Sequence, residues 1–291
     1  MHWNVLDGGA DRLPGIKRFL RSGEYDVVTF NELNGFDTTS LAALGQAVGL
    51  VHTHLLSKSR YHMGILSRHP LTGLAHERGH EFAHGVLCAH VLNVALCVTH
   101  LNPHDVHRRA IEARLIVRHH AMPAIRAGTP FVLVGDLNTL SSLDRPDHDA
   151  AALPSTIRKG PFRKALGKKF LSHSGATVDY TPMQVLLDAP LTDLGAGSGY
   201  TVPTSINADR MHFAKLRLDY CLASHALLAA KADTATPAGC EDGIATTHPL
   251  PLEDVRRKQR TSASAHVVRS AATNTLSDHF PLVCEWDDED R

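Results

Sequence analysis

FVLVGDLN, residues 131–138, is an apolar run that ends on Gly135, Asp136 and Asn138. Its length and β-branched content read as a buried strand, and the polar residues mark its C-terminal end. The same design recurs along the chain. YDVVTFNE (25–32) ends on Glu32, and ALCVTH (95–100) ends on His100. Residues 2–6 carry Asn4, 218–223 carry Asp219, and 280–286 follow directly on Asp278 and His279. Residues 63–67 and 86–92 read as further strands, with Leu92, Asn93 and Val94 turning the latter into a hairpin. Helical patterns lie between them. They are 12–21 with Asp11 as N-cap, 39–48 capped by Thr38, and 105–122 with Pro103 near its start. In the last of these Ile111, Leu115 and Met122 are expected to share the buried face. Strands alternating with helices make an α/β protein.

The chain has 291 residues, 43% of them hydrophobic, which is enough for a large core. No repeat and no linker is visible, so a single domain over 1–291 is expected, with long loops near 141–179 and 237–272. With 30 Lys+Arg against 30 Asp+Glu the formal charge is zero, which excludes a uniformly basic nucleic-acid-coating protein but permits a local basic groove. Two stretches carry the charge for one, although such runs are more often a solvated face than a phosphate-contact surface: Arg158, Lys159, Arg163, Lys164, Lys168 and Lys169, and Arg256 to Arg260. No apolar run approaches the roughly 18 residues of a transmembrane helix. The start lacks a basic region followed by a long apolar one, so no signal peptide is read. Cys88, Cys97, Cys221, Cys240 and Cys284 form no CxxC pair, and three of them lie in strand-like runs. They read as buried free thiols, which together with the absence of a glycosylation sequon points to an intracellular protein, an organelle included if a transit peptide has been removed.

One polar residue after a strand is a turn residue or cap more often than a catalyst, but six such places on one chain suggest a site, because open α/β sheets bind ligands beyond strand ends. The residue types form a chemical set. Glu32 and Asp278 are hard oxygen ligands suited to Mg²⁺ or Mn²⁺. His100 and His279 can move protons or stabilise an oxyanion. Asn4 and Asn138 can hold a phosphoryl oxygen and orient water. No Ser or Cys nucleophile motif accompanies them, so attack by water fits better than a covalent intermediate.

The segments WNVLDGG, VVTFNEL, MGILSRHPL, CVTHLNPH, VLVGDLNTL, LRLDYCLAS and LSDHFPLV, spread over residues 3–283, together resemble the endonuclease/exonuclease/phosphatase superfamily that includes deoxyribonuclease I. The resemblance implies a four-layer α/β/β/α sandwich, two packed mixed β-sheets flanked by helices, with the site at one edge. It implies Glu32 as principal metal ligand, Asp278 as the acid at the metal site, and Asn4 near metal and phosphate. It implies His100 on the leaving-group side, Asp136 and Asn138 at the attacking water and the phosphate, and His279 as phosphate-contacting or base histidine. Asp219 would fix the tautomer of His279, and either Asp136 or His279 is the base. Some relatives place an acid two positions after the first-strand Asn. Here that position is Leu6, with Asp7 one step later, so a second ligand from this strand is not expected.

The expected activity is hydrolysis of phosphodiesters by a Mg²⁺- or Mn²⁺-dependent enzyme, with nucleic acid as substrate. The alternatives are a lipid or inositol-phosphate phosphodiesterase or phosphatase, and a silent family member serving as a binding or assembly subunit. Three look-alikes carry less weight. His80-Glu81-Phe82-Ala83-His84 matches the zincin motif HExxH, but strand-like sequence follows where a helix is needed. His104 and His107 sit where a helix starts, and residues 195–199 (GAGSG) precede no convincing helix. Trp3 and Trp286 read as core.

Overall fold

The computed structural model describes residues 1–57, 59–77, 80–207, 211–229 and 263–286. Among them twelve strands form two six-stranded mixed sheets. The first runs β11 (Ala263–Val267), β12 (Leu282–Trp286), β1 (His2–Asn4), β2 (Val27–Asn31), β4 (Met63–Ser67), β3 (His52–Leu56). The second runs β5 (Leu71–Glu77), β6 (Val86–Val91), β7 (Val94–His100), β8 (Phe131–Asp136), β10 (Asp219–Ser224), β9 (Leu191–Asp193). Each sheet has one parallel pair near its centre, β1 with β2 and β7 with β8.

Strand periodicity builds the layers. In β7 and β8, Leu96, Val98, Val132 and Val134 face inward and meet Met63, Ile65 and Leu282 of the first sheet. The alternate residues Cys97, Phe131 and Leu133 face outward against Ala113 and Ile116 of α3 (Val106–Ile116) and Met183 and Leu186 of α8 (Thr181–Asp188). On the other side Trp3, Val28 and Phe30 pack on Ile16 and Leu20 of α1 (Leu13–Ser22) and on Leu41 and Leu44 of α2 (Thr38–Val48). The result is the four-layer α/β/β/α sandwich that the resemblance implies. Trp3 is fully buried core, and Trp286 packs against the core between the sheets.

Several local expectations are corrected. Residues 141–179 are not a long loop but carry α5 (Arg145–Ala150), α6 (Leu153–Lys159) and α7 (Arg163–Phe170), held by a core of Leu153, Ile157, Leu166 and Phe170. Their many charges hid a short apolar stripe. Of the second expected loop only 263–272 lies within the described residues, and there β11 forms; Arg256 to Arg260 lie outside them. The N-cap of α2 is Asp37, not Thr38, with a reciprocal capping box through Ser40. Arg12, not Asp11, precedes α1. Ile111 is exposed; the buried face of α3 instead carries Val106, Arg109, Ala110, Glu112, Ala113 and Ile116. The helical run beyond it changes to a π-helical turn, Val117–Ala121, and then to α4, Met122–Arg126. Cys88 and Cys97 are not free thiols but a disulfide. The hairpin places them directly opposite each other, with Cα atoms 4.2 Å apart, close enough for the bond. The thiol argument for a reducing interior therefore falls away for this pair. No described helix is long and apolar enough to cross a membrane.

Candidate active site

Topology decides where the site lies. The two parallel pairs end at the same edge of the sandwich, with Asn4 level with Asn31 and His100 level with Asp136. The antiparallel neighbours begin there: Asp219 opens β10 opposite Asp136, and Asp278 and His279 come just before β12. Asn4, Asn31, His100, Asp136 and Asp219 share the inward parity of their strands, so they converge between the sheets. Glu32 has the opposite parity, but β2 stops at Asn31 and Glu32 takes a left-handed φ of 61°. Such a backbone is uncommon outside glycine and is found at sites where surrounding structure enforces it.

Asp136 is the hub, only 2% exposed. Its Oδ2 accepts from Asn4 Nδ2 at 3.2 Å and lies 3.5 Å from His100 Nε2 and 3.7 Å from His279 Nε2. Its Oδ1 accepts from the Asn138 amide at 2.9 Å, and its own amide donates to Asn31 Oδ1 across the sheets at 2.7 Å. Burial pushes the carboxyl up, but the charges of His279, His100 and Lys169 and the Asn138 amide outweigh it and hold it at about 2. His279 Nδ1 meets Asp219 Oδ2 at 2.7 Å. Burial alone would strip the His279 proton; Asp219, Asp278 and Asp136 override it and lift the ring to about 10. At neutral pH the hub is therefore an ionised Asp136 facing a protonated His279.

Asn4 Nδ2 also donates to Glu32 Oε1 at 3.1 Å, so one amide nitrogen bridges Glu32 and Asp136. Its oxygen accepts from the Leu6 amide at 3.1 Å and is turned away from both carboxylates. Asn138 Nδ2 donates to the Leu101 carbonyl at 3.1 Å, so this side chain clamps two strand ends. Asp7 accepts from Asn34 Nδ2 at 2.9 Å in a left-handed turn, well outside the strand.

The structure adds residues that sequence reasoning passed over. His212 Nε2 stands 3.8 Å from Asp278 Oδ2, its ring edge-on to His279 at 5.1 Å. Burial and the charge of His279 hold the His212 imidazolium down to about 4. His84 and Tyr61 pack on the His100 ring, with centroids at 4.7 and 5.9 Å. His84 thus belongs to the site, while His80 is exposed in a turn and the HExxH segment forms no helix. His104 and His107 flank Asp105, the N-cap of α3, as expected, and the GAGSG segment forms turns that lead into no helix. His2 Nε2 lies 3.7 Å from Asp219 Oδ1. Two ligand-type clusters result, His212–Asp278–His279 and Asp136–Asp219–His279, with Glu32 joined to the second through Asn4.

A four-layer sandwich whose inner faces open at one edge onto buried carboxylates and histidines is the architecture of the deoxyribonuclease I-like phosphoesterases. The chain belongs to the Endonuclease/Exonuclease/phosphatase family, which it matches over residues 1–279. Solved structures share the fold at low identity. The 3'-5' exonuclease NExo from Neisseria meningitidis has a TM-score of 0.60 at 20% identity, covering 98% of both chains. An AP endonuclease from Archaeoglobus fulgidus has a TM-score of 0.64 at 15% identity, covering 99% of this chain and 98% of the other. The endonuclease/exonuclease/phosphatase from Beutenbergia cavernae has 0.56 at 18% identity, covering 97% of this chain and 69% of the other. No curated protein sequence matches the chain.

Proposed function

We propose that the chain is a divalent-metal-dependent phosphodiesterase that hydrolyses nucleic acid. The observation that carries this reading is geometric: Glu32, His100, Asp219 and His279 gather around Asp136 at one sheet edge, with both histidines within 3.7 Å of its Oδ2. Asp136, whose carboxyl the neighbouring histidines hold low, orients the attacking water and takes its proton, while His279, lifted by Asp219, Asp278 and Asp136, donates to a phosphoryl oxygen. Asp219, bonded to His279 Nδ1, fixes the ring so that Nε2 faces the substrate side. His100 stands on the other flank of Asp136 and stabilises the leaving oxygen. Asn4 and Asn138 hold the carboxylates and strand ends in register.

Glu32 and Asp278 carry the hard oxygen donors that a divalent ion takes. Both are partly exposed carboxylates, whereas Asp136 and Asp219 are buried against histidines. They would hold Mg²⁺ or Mn²⁺, whose chemistry is charge neutralisation at the phosphoryl oxygens. Asn4 presents nitrogen rather than oxygen to this place and is a positioning residue.

Nucleic acid is favoured by a basic cradle at the start of α3, the helix that follows the strand ending on His100. Arg158, Arg163, Lys164 and Lys168 line a cavity of about 620 Å³ that reaches Asp105 and His107 at the start of α3. The family's solved relatives include an exonuclease and an AP endonuclease, consistent with such a substrate. The test is Mg²⁺-dependent release from single- and double-stranded DNA, RNA, a sphingomyelin-type diester and inositol phosphates, with Glu32→Ala as control. Cleavage of a nucleic acid, lost in the control and with EDTA, is expected. Turnover confined to the lipid or inositol substrates would overturn the substrate assignment, and silence on all of them would overturn the enzyme reading.

A further inference from the structure

Cys88 and Cys97 lie on the outer face of the second sheet, opposite in parity to His100 and so away from the active site. His120 Nδ1 stands 3.5 Å from Cys88 Sγ. Its other nitrogen, Nε2, lies 3.2 Å from Glu77 Oε1, and the same oxygen pairs with His119 Nδ1 at 3.0 Å. One ligand atom from each of Cys88, Cys97 and His120 lies within 4.8 Å of the other two. Both histidines sit in the π-helical turn Val117–Ala121, and such turns concentrate at functional sites. A cavity of about 280 Å³ reaches both cysteines and both histidines.

A structural disulfide uses neither His120 nor Glu77. Two thiolates and an imidazole do form a ligand set, and its softness selects zinc over magnesium. Around tetrahedral zinc, with Zn–S about 2.3 Å and Zn–N about 2.0 Å, neighbouring sulfur and nitrogen ligands stand about 3.5 Å apart. A carboxylate on the far nitrogen of a metal-bound histidine is the usual second support, since it fixes the ring and its tautomer.

We propose that Cys88, Cys97 and His120 form a thiol-gated Zn²⁺ site, closed by the disulfide and opened by a small-molecule thiol. Opening consumes two thiols: the Cys88–Cys97 bond breaks, both sulfurs gain a hydrogen, and the two reductant molecules leave joined as their own disulfide. Zinc then binds both sulfurs and His120 Nδ1, and the two thiol protons pass to solvent. Glu77 accepts a hydrogen bond from His120 Nε2–H, and water completes the tetrahedron. Because the site faces α3 and α4, zinc occupancy ties the outer helical layer to the sheet that carries His100 and Asp136.

The full chain, reduced with dithiothreitol and desalted without air, is titrated with Co²⁺ as a coloured stand-in for zinc. A thiolate-to-cobalt charge-transfer band should rise to one equivalent and bleach when Zn²⁺ is added. The oxidised chain should show none, and oxygen ligands at the active site cannot produce it. Cys88→Ser and Cys97→Ser should each abolish the band. Glu77→Gln, a change at a partly exposed side chain, should keep it and weaken Zn²⁺ binding about 10-fold. His120→Ala should weaken it further. A colourless reduced protein would overturn the proposal, as would a band that survives Cys88→Ser and so arises from Cys221, Cys240 or Cys284. Unchanged Zn²⁺ affinity in both Glu77→Gln and His120→Ala would do the same.

Discussion

Asp136 is pinned by groups from both sheets: Asn4 from β1, Asn31 from β2, His100 from β7, and its neighbour Asn138. Its charge, rather than its shape, is what these contacts hold. Asp136→Asn keeps the volume and removes the charge, so turnover should fall by about 10²- to 10³-fold with a folded protein. Near-wild-type initial rates would defeat the role proposed for it. His2 makes a second prediction, about stability. It is fully buried, with Nδ1 2.9 Å from Thr29 Oγ1, and burial pushes its imidazolium from 6.5 down to about 3. The unfolded chain takes up this proton below pH 6.5 and the folded chain does not until about 3. The associated stability is therefore complete above pH 6.5 and lost as the pH falls through that window. By pH 5 the loss is about 2 kcal/mol. Urea unfolding at pH 7 and pH 5 should show a smaller drop for His2→Gln than for the parent, and equal drops would refute the assignment. The strand-terminal residues were legible because an apolar run that stops at a charge is conspicuous. His212 and Tyr61 were not, because both come from irregular segments with no period to mark them. His84 had one sequence signal, the HExxH match, and that signal pointed to a different chemistry.

Elements were readable in proportion to their burial. The central strands β7 and β8 are buried at every position and were read almost to the residue. The edge strand β5 is exposed along most of its length and β3 is only half-buried, so neither carries the apolar alternation that announces a strand. Helix α3 misled for the opposite reason, since its buried face includes two charged residues. Glu112 accepts from the Ala83 and Asn102 amides, each at 2.7 Å, and Arg109 donates to the Asn102 carbonyl at 2.8 Å. These bonds tie α3 to the segment just beyond His100 and to the neighbour of His84. Glu112→Ala strands two backbone donors and the buried Arg109 charge, so it should cost about 3 kcal/mol in urea unfolding. It should also lower turnover by loosening His100. Glu112→Gln, which keeps one acceptor, should cost about half as much. A loss below about 0.5 kcal/mol in the alanine variant would show that the tether bears no load.

At the scale of the molecule, 30 basic and 30 acidic residues cancel, so long-range steering of an anionic substrate is weak and any grip on a polyanion must be local. The basic side chains that supply it come from α6 and α7, the helices whose charges made them look like loop. Charge and fold are connected there: Ile157, Leu166 and Phe170 bury the inner face, which leaves Arg158, Arg163 and Lys164 to line the cradle. Lys168 is partly neutralised by Asp105 at 3.2 Å. If the cradle holds phosphates beyond the scissile one, its effect belongs in binding and not in chemistry. The variant Arg158→Gln, Arg163→Gln and Lys164→Gln should raise KM for a nucleic acid about 10-fold or more at low salt and leave kcat near the parent value. Binding measured with Ca²⁺ in place of Mg²⁺ should lose about 0.7 to 0.9 units of log–log salt slope for each of the three phosphate contacts removed, so a slope shallower by roughly 2 to 3 is expected. For a short substrate with a single phosphate the variant and parent should be equal, because such a substrate never reaches the cradle. An unchanged slope would place the polyanion on another face. An equal loss on the short substrate would mean that the three residues act through the fold of α6 and α7 and not through contact.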